Sequence, residues 1–130
     1  GFQDAAGDSF DFRDSRVALQ TLRLALDDFY DLTGSLSDTS DPAMLRQVNA
    51  AQRAIGRTLV ALGYSRDGRF RQDPATAIPT LPDLAPAMLL PEATPHQTNV
   101  IRTHLIRGQN RLVWEVGQAM QIARQSAGVA

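Results

Sequence analysis

Two histidines are the first residues of this chain whose side chains could support chemistry. His96 and His104 stand eight residues apart in a predicted helix. At 3.6 residues per turn they lie about 80° apart around the helix and two turns apart along it. A zinc site needs several ligands around one point, and these two side chains cannot reach one ion together. We therefore expect ordinary polar histidines and no metal site.

Three arginines form a second candidate, because guanidinium groups bind carboxylates and phosphates. Arg66, Arg69 and Arg71 lie close together in the sequence, and Asp67 and Asp73 stand among them. Two alternatives are open, an anion-binding site and a local network of salt bridges. We favour the network, since the acids are so near.

No sequence pattern in the chain is typical of catalysis. There is no cysteine, which excludes thiolate zinc sites and disulfides. No serine stands in the strained turn motif of hydrolases, and no glycine run has the lysine of a phosphate-binding loop. We predict no catalytic, cofactor-binding or metal-binding residue, and no enzyme activity, in this chain alone.

Size and charge narrow the classes of partner. A chain of 130 residues is expected to form one domain. Its net charge of −1 does not favour nucleic acid or an anionic membrane surface. No apolar run approaches the ~18 residues of a membrane span.

Residues 1–41 carry nine acids and three arginines, whereas residues 42–130 carry ten arginines and five acids. Such halves can attract each other within one chain or between two copies.

Two helices are predicted in the first half of the chain. The first runs from about Ser15 to about Leu32, and its N-cap is Asp14 or Ser15. Three acids near its end oppose the helix dipole, so they are either solvated or paired with arginines. The second helix runs over Pro42–Leu62 after an Asp41 cap. Within it we expect Gly56 to mark close packing against another helix. The acids of the first helix are Asp27, Asp28 and Asp31.

The third helix is the longest, from Pro95 to about Ser126. Thr94 and Gln97 fit a capping box at its start. Its apolar stripe indicates one buried side, but three more apolar residues lie off the stripe, so a second surface is expected to cover them. The stripe comprises Ile101, Leu105, Gly108, Leu112, Val116, Ala119 and Ala123, and the others are Val113, Trp114 and Met120.

Residues 64–95 hold six of the seven prolines. Proline excludes a long helix or a central strand, and the segment is too apolar for a solvated linker. We predict an extended strap that packs on the helices through Phe70, Ile78, Leu81 and Leu84. The expected fold is all-α: a three-helix up-down bundle with a long proline-rich extended strap between helices 2 and 3. It forms a single domain over residues 1–130, of which 1–9 are expected to be disordered.

The order of these features resembles the transferrin-receptor-like dimerisation domain of M28-type zinc carboxypeptidases related to glutamate carboxypeptidase. Short stretches spread over most of residues 10–126 carry the resemblance. They are similar to the family's acidic-aromatic start, its second helix, its Gly-Arg-aromatic strap and its segment before the last helix. The stretches are Phe10–Asp14, Leu45–Leu62 with Asn49 and Arg53, Gly68–Gln72, and Leu81–Leu84 followed by Ala87 and Met88.

The resemblance implies a non-catalytic role. In that family the zinc ligands belong to a peptidase domain that is absent from these residues, so this chain would hold no cofactor. It would form a homodimer across a two-fold axis, and its other partner would be a peptidase domain of the same parent chain. The expected interface residues are Leu105, Leu112, Val113, Trp114, Val116 and Met120.

An alternative is a free-standing secreted or periplasmic helical bundle that binds a small ligand. It predicts a concave pocket between helices and strap with converging polar groups. We favour a periplasmic or secreted location over a cytoplasmic one. Because the first residue is Gly1 rather than Met, we expect an excised or processed chain, a fragment of something larger.

Overall fold

The computed structural model describes residues 10–64, 68–70 and 80–128. This part of the chain is mostly helical, which confirms the all-α prediction. The predicted disordered segment 1–9 and the predicted strap residue Ile78 lie outside the described residues. The elements in order are β1 (Phe10–Asp11), α1 (Arg16–Gly34), a 3-10 turn (Ser35–Ser37), α2 (Pro42–Ala61), β2 (Arg69–Phe70), α3 (Thr80–Asp83), α4 (Ala85–Met88) and α5 (Pro95–Gly128).

Side-chain caps fix where the long helices begin. Ser15 caps α1 and Asp41 caps α2, each by accepting a hydrogen bond from an amide of the first turn. At α5 the predicted capping box is present. The Thr94 amide donates to Oε1 of Gln97 at 2.9 Å, and the Gln97 amide donates to Oγ1 of Thr94 at 3.1 Å. Gly63 follows α2 with a φ of 95°, a conformation that suits glycine at a helix end.

Helices α1 and α5 pack lengthwise and antiparallel. The start of α1 meets the end of α5, where the hydroxyls of Ser15 and Ser126 lie 3.4 Å apart. Near the middle, Gly108 lets the two backbones approach closely. A Cβ atom at Gly108 would lie 2.8 Å from two ring carbons of the buried Phe29. This contact holds α1 against α5.

Gly56 does not mark a close helix contact, so that prediction was wrong. A Cβ atom there would meet no atom of the described residues within 4 Å. Gly56 lies on a partly exposed side of α2, whereas Gly108 lies on the buried stripe of α5. The side of the helix on which a glycine falls therefore decides its role.

A single hydrophobic core joins the helices and the segment between α2 and α5. The core includes aliphatic residues of all three long helices together with three aromatic side chains that are not in them, Phe12, Tyr64 and Phe70. The Tyr64 and Phe70 rings pack edge to face with centroids 4.9 Å apart, a favoured aromatic geometry.

The predicted strap is only partly as expected. Phe70 and Leu81 are buried, as predicted, but Leu84 is 38% exposed. The segment is also not extended throughout, because α3 and α4 each form one helical turn. In α4 the spacing of three residues turns Ala85 and Met88 toward the core, which leaves Leu84, just before the turn, on the outer side.

A short strand pair ties the beginning of the chain to the strap. β1 and β2 pair antiparallel, with Phe10 opposite Phe70, and the Phe12 amide donates to the Gly68 carbonyl at 2.6 Å. Gly68 has a φ of 91°, and a Cβ atom there would lie 2.7 Å from Cγ of Arg13. Only glycine fits this position without strain.

Candidate interaction surface

The structure divides the six predicted interface residues into two groups. Three of them are fully buried against the protein's own helices, so they cannot meet a second copy. This corrects the prediction, since α1 already covers the apolar stripe of α5. Val113 and Met120 are partly buried, and Trp114 is 67% exposed. The three core residues are Leu105, Leu112 and Val116.

Trp114 shares one side of the molecule with two exposed residues of α1. Leu24 is 54% exposed and Val17 is 62% exposed. Asp28 of α1 contacts Arg111 of α5, with 3.4 Å between Oδ2 and Nη2. On α1, helical spacing places Leu24 and Val17, four and eleven residues before Asp28, on the same side as Asp28. On α5, it places Trp114, three residues after Arg111, on the same side as Arg111. The contact between Asp28 and Arg111 joins the two sides into one surface.

We call this surface the α1–α5 face. Asp31, three residues after Asp28, and Arg107, four residues before Arg111, extend it toward the end of α1. Both are exposed. The α1 half of this face was not predicted from the sequence, although the seven-residue spacing of Val17 and Leu24 off the buried stripe was a usable signal. The residues of the α1–α5 face are Val17, Leu24, Asp28, Asp31, Arg107, Arg111 and Trp114.

Charged groups cross the α1–α5 seam beside Trp114. Arg111 contacts Asp28 and also Glu115, whose Oε1 lies 3.8 Å from Nε of Arg111. Of the two alternatives for the α1 acids, Asp28 takes the ion pair. Burial raises the pKa of the Glu115 carboxyl, the neighbouring Asp28 raises it further, and Arg111 opposes the rise. The cluster therefore holds two carboxyl groups around one cation.

Gln109 is a polar residue inside the core. Its side chain is fully buried, and neither amide atom has a hydrogen-bond partner among the described residues. A buried amide without partners costs free energy. It lies on the core side of α5, among buried apolar residues, and not on the α1–α5 face.

A cleft of about 520 Å³ opens where α1 ends and where α2 and α5 begin. Both histidines line it, although the sequence predicted no joint role for them. Among the described residues, no group of three or more His, Asp or Glu side chains is arranged to hold a metal ion. The lining comprises Ser35, Leu36, Asp38, Thr39, Asp41, Met44, Thr94, His96, Gln97, Val100 and His104.

Of the arginine cluster predicted around residue 69, Arg69 lies in the described part of the chain. Arg69 is exposed, at the short strand pair. Arg66, Arg71, Asp67 and Asp73 lie outside the described residues. The choice between an anion site and a salt-bridge network therefore stays a prediction.

Comparisons with known proteins do not add a family. No protein-family model, no curated protein and no solved structure matches this chain. No helix in the described part of the chain is both long enough and apolar enough to cross a membrane.

Proposed function

We propose that this chain is a non-catalytic helical interaction module that forms a homodimer through the α1–α5 face. The observation that carries the proposal is Trp114, a large aromatic side chain left 67% exposed on the side where helical spacing also places the exposed Leu24. Exposed apolar patches mark interaction sites, and tryptophan is enriched among the residues that dominate binding energy at interfaces. In this proposal the three long helices form the predicted up-down bundle.

The charges of the α1–α5 face favour a second copy as the partner. Asp31 and Arg107 lie at about the same height along the helix axes. Asp28 contacts Arg111, and because α1 and α5 are antiparallel, three residues onward in α1 and four residues back in α5 lead in the same direction. A two-fold axis parallel to the helices places α1 of one copy against α5 of the other and keeps each residue at its level. Asp31 then faces the partner's Arg107, and Trp114 packs on the partner's Leu24.

The dimensions of the face predict a weak dimer. The 19 residues of α1 extend over about 28 Å at 1.5 Å per residue. Two adjacent helices give a width of roughly 18 Å. A face of this length and width buries about 500 Å² on each partner, or about 1,000 Å² over both. This is below the ~1,200–2,000 Å² of stable interfaces, so we expect dissociation constants in the micromolar range.

Sedimentation velocity at increasing protein concentration tests the proposal. The sedimentation coefficient should rise from monomer to dimer, and Trp114→Gln should abolish the rise. Ile106→Gln is the matched control, because Ile106 is an exposed apolar residue of α5 outside the α1–α5 face. A monomer at millimolar concentration, or equal effects of both substitutions, would overturn the proposal.

A mixing experiment tests the pairing of helices across the axis. Asp31→Arg and Arg107→Asp each place two like charges opposite each other in both halves of the dimer, so each variant alone should be monomeric. Mixed together, the two variants restore opposite charges at both contacts. We expect a heterodimer of the two variants. If the mixture stays monomeric while the wild type dimerises, α1 does not face the partner's α5.

We also propose that the module is a C-terminal part of a larger M28-type zinc peptidase. The resemblance of Phe10–Asp14, Gly68–Gln72 and Leu81–Leu84 to the transferrin-receptor-like dimerisation domain supports this. Zinc would then belong to the peptidase domain, and the dimer would hold two such domains together. Sequencing of the complete reading frame tests it, since a frame without an upstream zinc-peptidase domain contradicts it.

A further inference from the structure

The cleft at the end of the bundle presents side chains that local structure does not use. Thr39 accepts a hydrogen bond from the Asp41 amide, Oδ1 of Asp41 caps α2, and Thr94 and Gln97 bind each other. Asp38 makes no side-chain hydrogen bond or ion pair within the described ranges. Asp38 and the second oxygen of Asp41 are thus available to a ligand.

His104 adds a third acceptor. Its Nδ1 lies 3.1 Å from the Val100 carbonyl oxygen. A carbonyl oxygen can only accept, so this contact requires the proton on Nδ1, and in that tautomer Nε2 is an acceptor. His104 lines the cleft together with Asp38 and Asp41.

The floor of the cleft is apolar. Leu36 and Met44 are buried, and Val100 is partly buried. The cleft therefore combines an apolar floor with a rim of hydrogen-bond acceptors, two of them carboxylates. Its volume of about 520 Å³ is within the usual range for small-molecule sites.

We infer that this cleft binds a small organic ammonium compound, with an apolar group on the floor and the cation against the rim. An ammonium group donates hydrogen bonds and accepts none, which matches a rim of acceptors. Hydrogen bonds between an ammonium and a carboxylate are among the strong ones. His104 is ten residues, or about 15 Å, from Trp114, so the inference does not depend on the dimer.

Titrations followed by two-dimensional NMR test the class of ligand. The probes are phenethylammonium, the neutral phenethyl alcohol and the anion phenylacetate, which share a phenyl group and differ in charge. We expect saturable shifts of the Val100 and His104 amides with phenethylammonium, at least ~10-fold weaker binding of the alcohol and none of the anion. Equal binding of the alcohol, preference for phenylacetate or no saturable shift with any probe would overturn the inference.

A fourth probe separates a free amine from the lysine side chain of a protein partner. N-acetyl-lysine methylamide carries the same ammonium without an aromatic ring. Because the floor formed by Leu36 and Met44 is apolar, phenethylammonium should bind more tightly. Tighter binding of the lysine amide would overturn the assignment to a small molecule.

Substitutions on the rim complete the test. Asp38→Asn combined with Asp41→Asn removes both charges, and asparagine preserves the cap of α2. We expect at least a ~10-fold loss of phenethylammonium affinity. Asp14→Asn is the matched control, since it removes one exposed charge at the opposite end of α1. Unchanged affinity in the rim variant, with unfolding temperature preserved, would contradict the inference.

Discussion

Gly108 provides the sharpest test of how α1 and α5 pack. We predict that Gly108→Ala destabilises the protein, whereas Gly117→Ala, nine residues further along the same helix, stabilises it. Both glycines lie inside α5. Their surroundings differ. A Cβ atom at Gly117 would meet no atom of the described residues within 4 Å, while one at Gly108 would lie 2.8 Å from the Phe29 ring.

The magnitudes follow from two opposing effects. Alanine is favoured over glycine in a helix interior by about 0.8–1 kcal/mol, and this gain applies at both positions. At Gly108 the added methyl overlaps a ring whose normal carbon contacts are about 3.5–4.0 Å. Phe29 is buried, and an overpacked core costs about 1–3 kcal/mol. The two variants should therefore differ by about 2 kcal/mol.

Urea unfolding followed by circular dichroism measures the difference directly. Thermal unfolding should show it as well, at roughly 3–5 °C per kcal/mol for a chain of this size. The m-value should stay constant in both variants, because the surface exposed on unfolding does not change. Gly117→Ala controls for helix propensity.

A double variant identifies Phe29 as the cause. Phe29→Leu alone leaves a cavity, and the alanine methyl at position 108 occupies part of it, so the combined loss should be smaller than the sum by about 1 kcal/mol. If Gly108→Ala stabilises the protein as much as Gly117→Ala does, the two helices do not approach closely at this point, and the packing described here is refuted.

Three other substitutions have defined outcomes. Gln109→Met replaces an unpartnered buried amide by an apolar side chain of similar shape and should stabilise the protein by about 1–3 kcal/mol in urea unfolding; destabilisation would show that the amide has a partner. Glu115→Gln should remove the part of the pH dependence of the free energy of unfolding that this carboxyl group causes. Since its pKa is raised in the folded state, the folded protein binds this proton more tightly than the unfolded chain, and stability falls as pH rises from the ordinary glutamate value through the raised one. The wild type should then lose stability relative to the variant over that pH range. Equal slopes of the free energy of unfolding against pH in both proteins would contradict the raised pKa of Glu115. Thr94→Ala breaks the capping box of α5 and should cost about 1 kcal/mol, with Thr103→Ala as the control because its hydroxyl only bonds back to Asn99; equal losses would show that the cap contributes nothing.

Local chemistry explains why the long helices could be predicted from the sequence. The structure places the ends of α1 and α2, and the start of α5, within two residues of the predicted positions. Caps such as Asp41 and Thr94 act on amides a few residues away, so the signal is contained in a short stretch of chain. The apolar stripes likewise depend only on spacing along one helix.

The strap shows where local rules were applied too strictly. Its prolines were interpreted as excluding a long helix, and no long helix runs through its described residues. The short turn α4 was not predicted, although Pro86 stands in its first turn, where proline is tolerated. The two-residue pairing of β1 with β2 has no periodicity that a sequence could reveal. Because the segment was expected to be an extended strap that packs on the helices, Leu84 was predicted to be buried, but it is exposed.

The interface prediction was wrong for Leu105, Leu112 and Val116, which are buried, and the reason is a different one. A periodic stripe predicts that Leu105 and Leu112 are covered, but not whether another helix of the same chain or a second copy covers them. The same limit applies to Gly56 and Gly108, since both are helical glycines and only the position of α1 distinguishes them. The residues of the cleft come from three separate elements, so no local pattern joins His104 to Asp38.

The antiparallel packing of α1 on α5 has a consequence for synthesis of the chain. Ser15 and Ser126, which meet at one end of the pair, are 111 residues apart. The apolar side of α1 leaves the ribosome before its partner helix α5 does. Until α5 has been synthesised, α1 must remain exposed or be held by a chaperone, because contacts between distant segments form late. A chain that stops before α5 would therefore present an uncovered apolar helix, which makes incomplete products of this protein ready targets for cellular quality control.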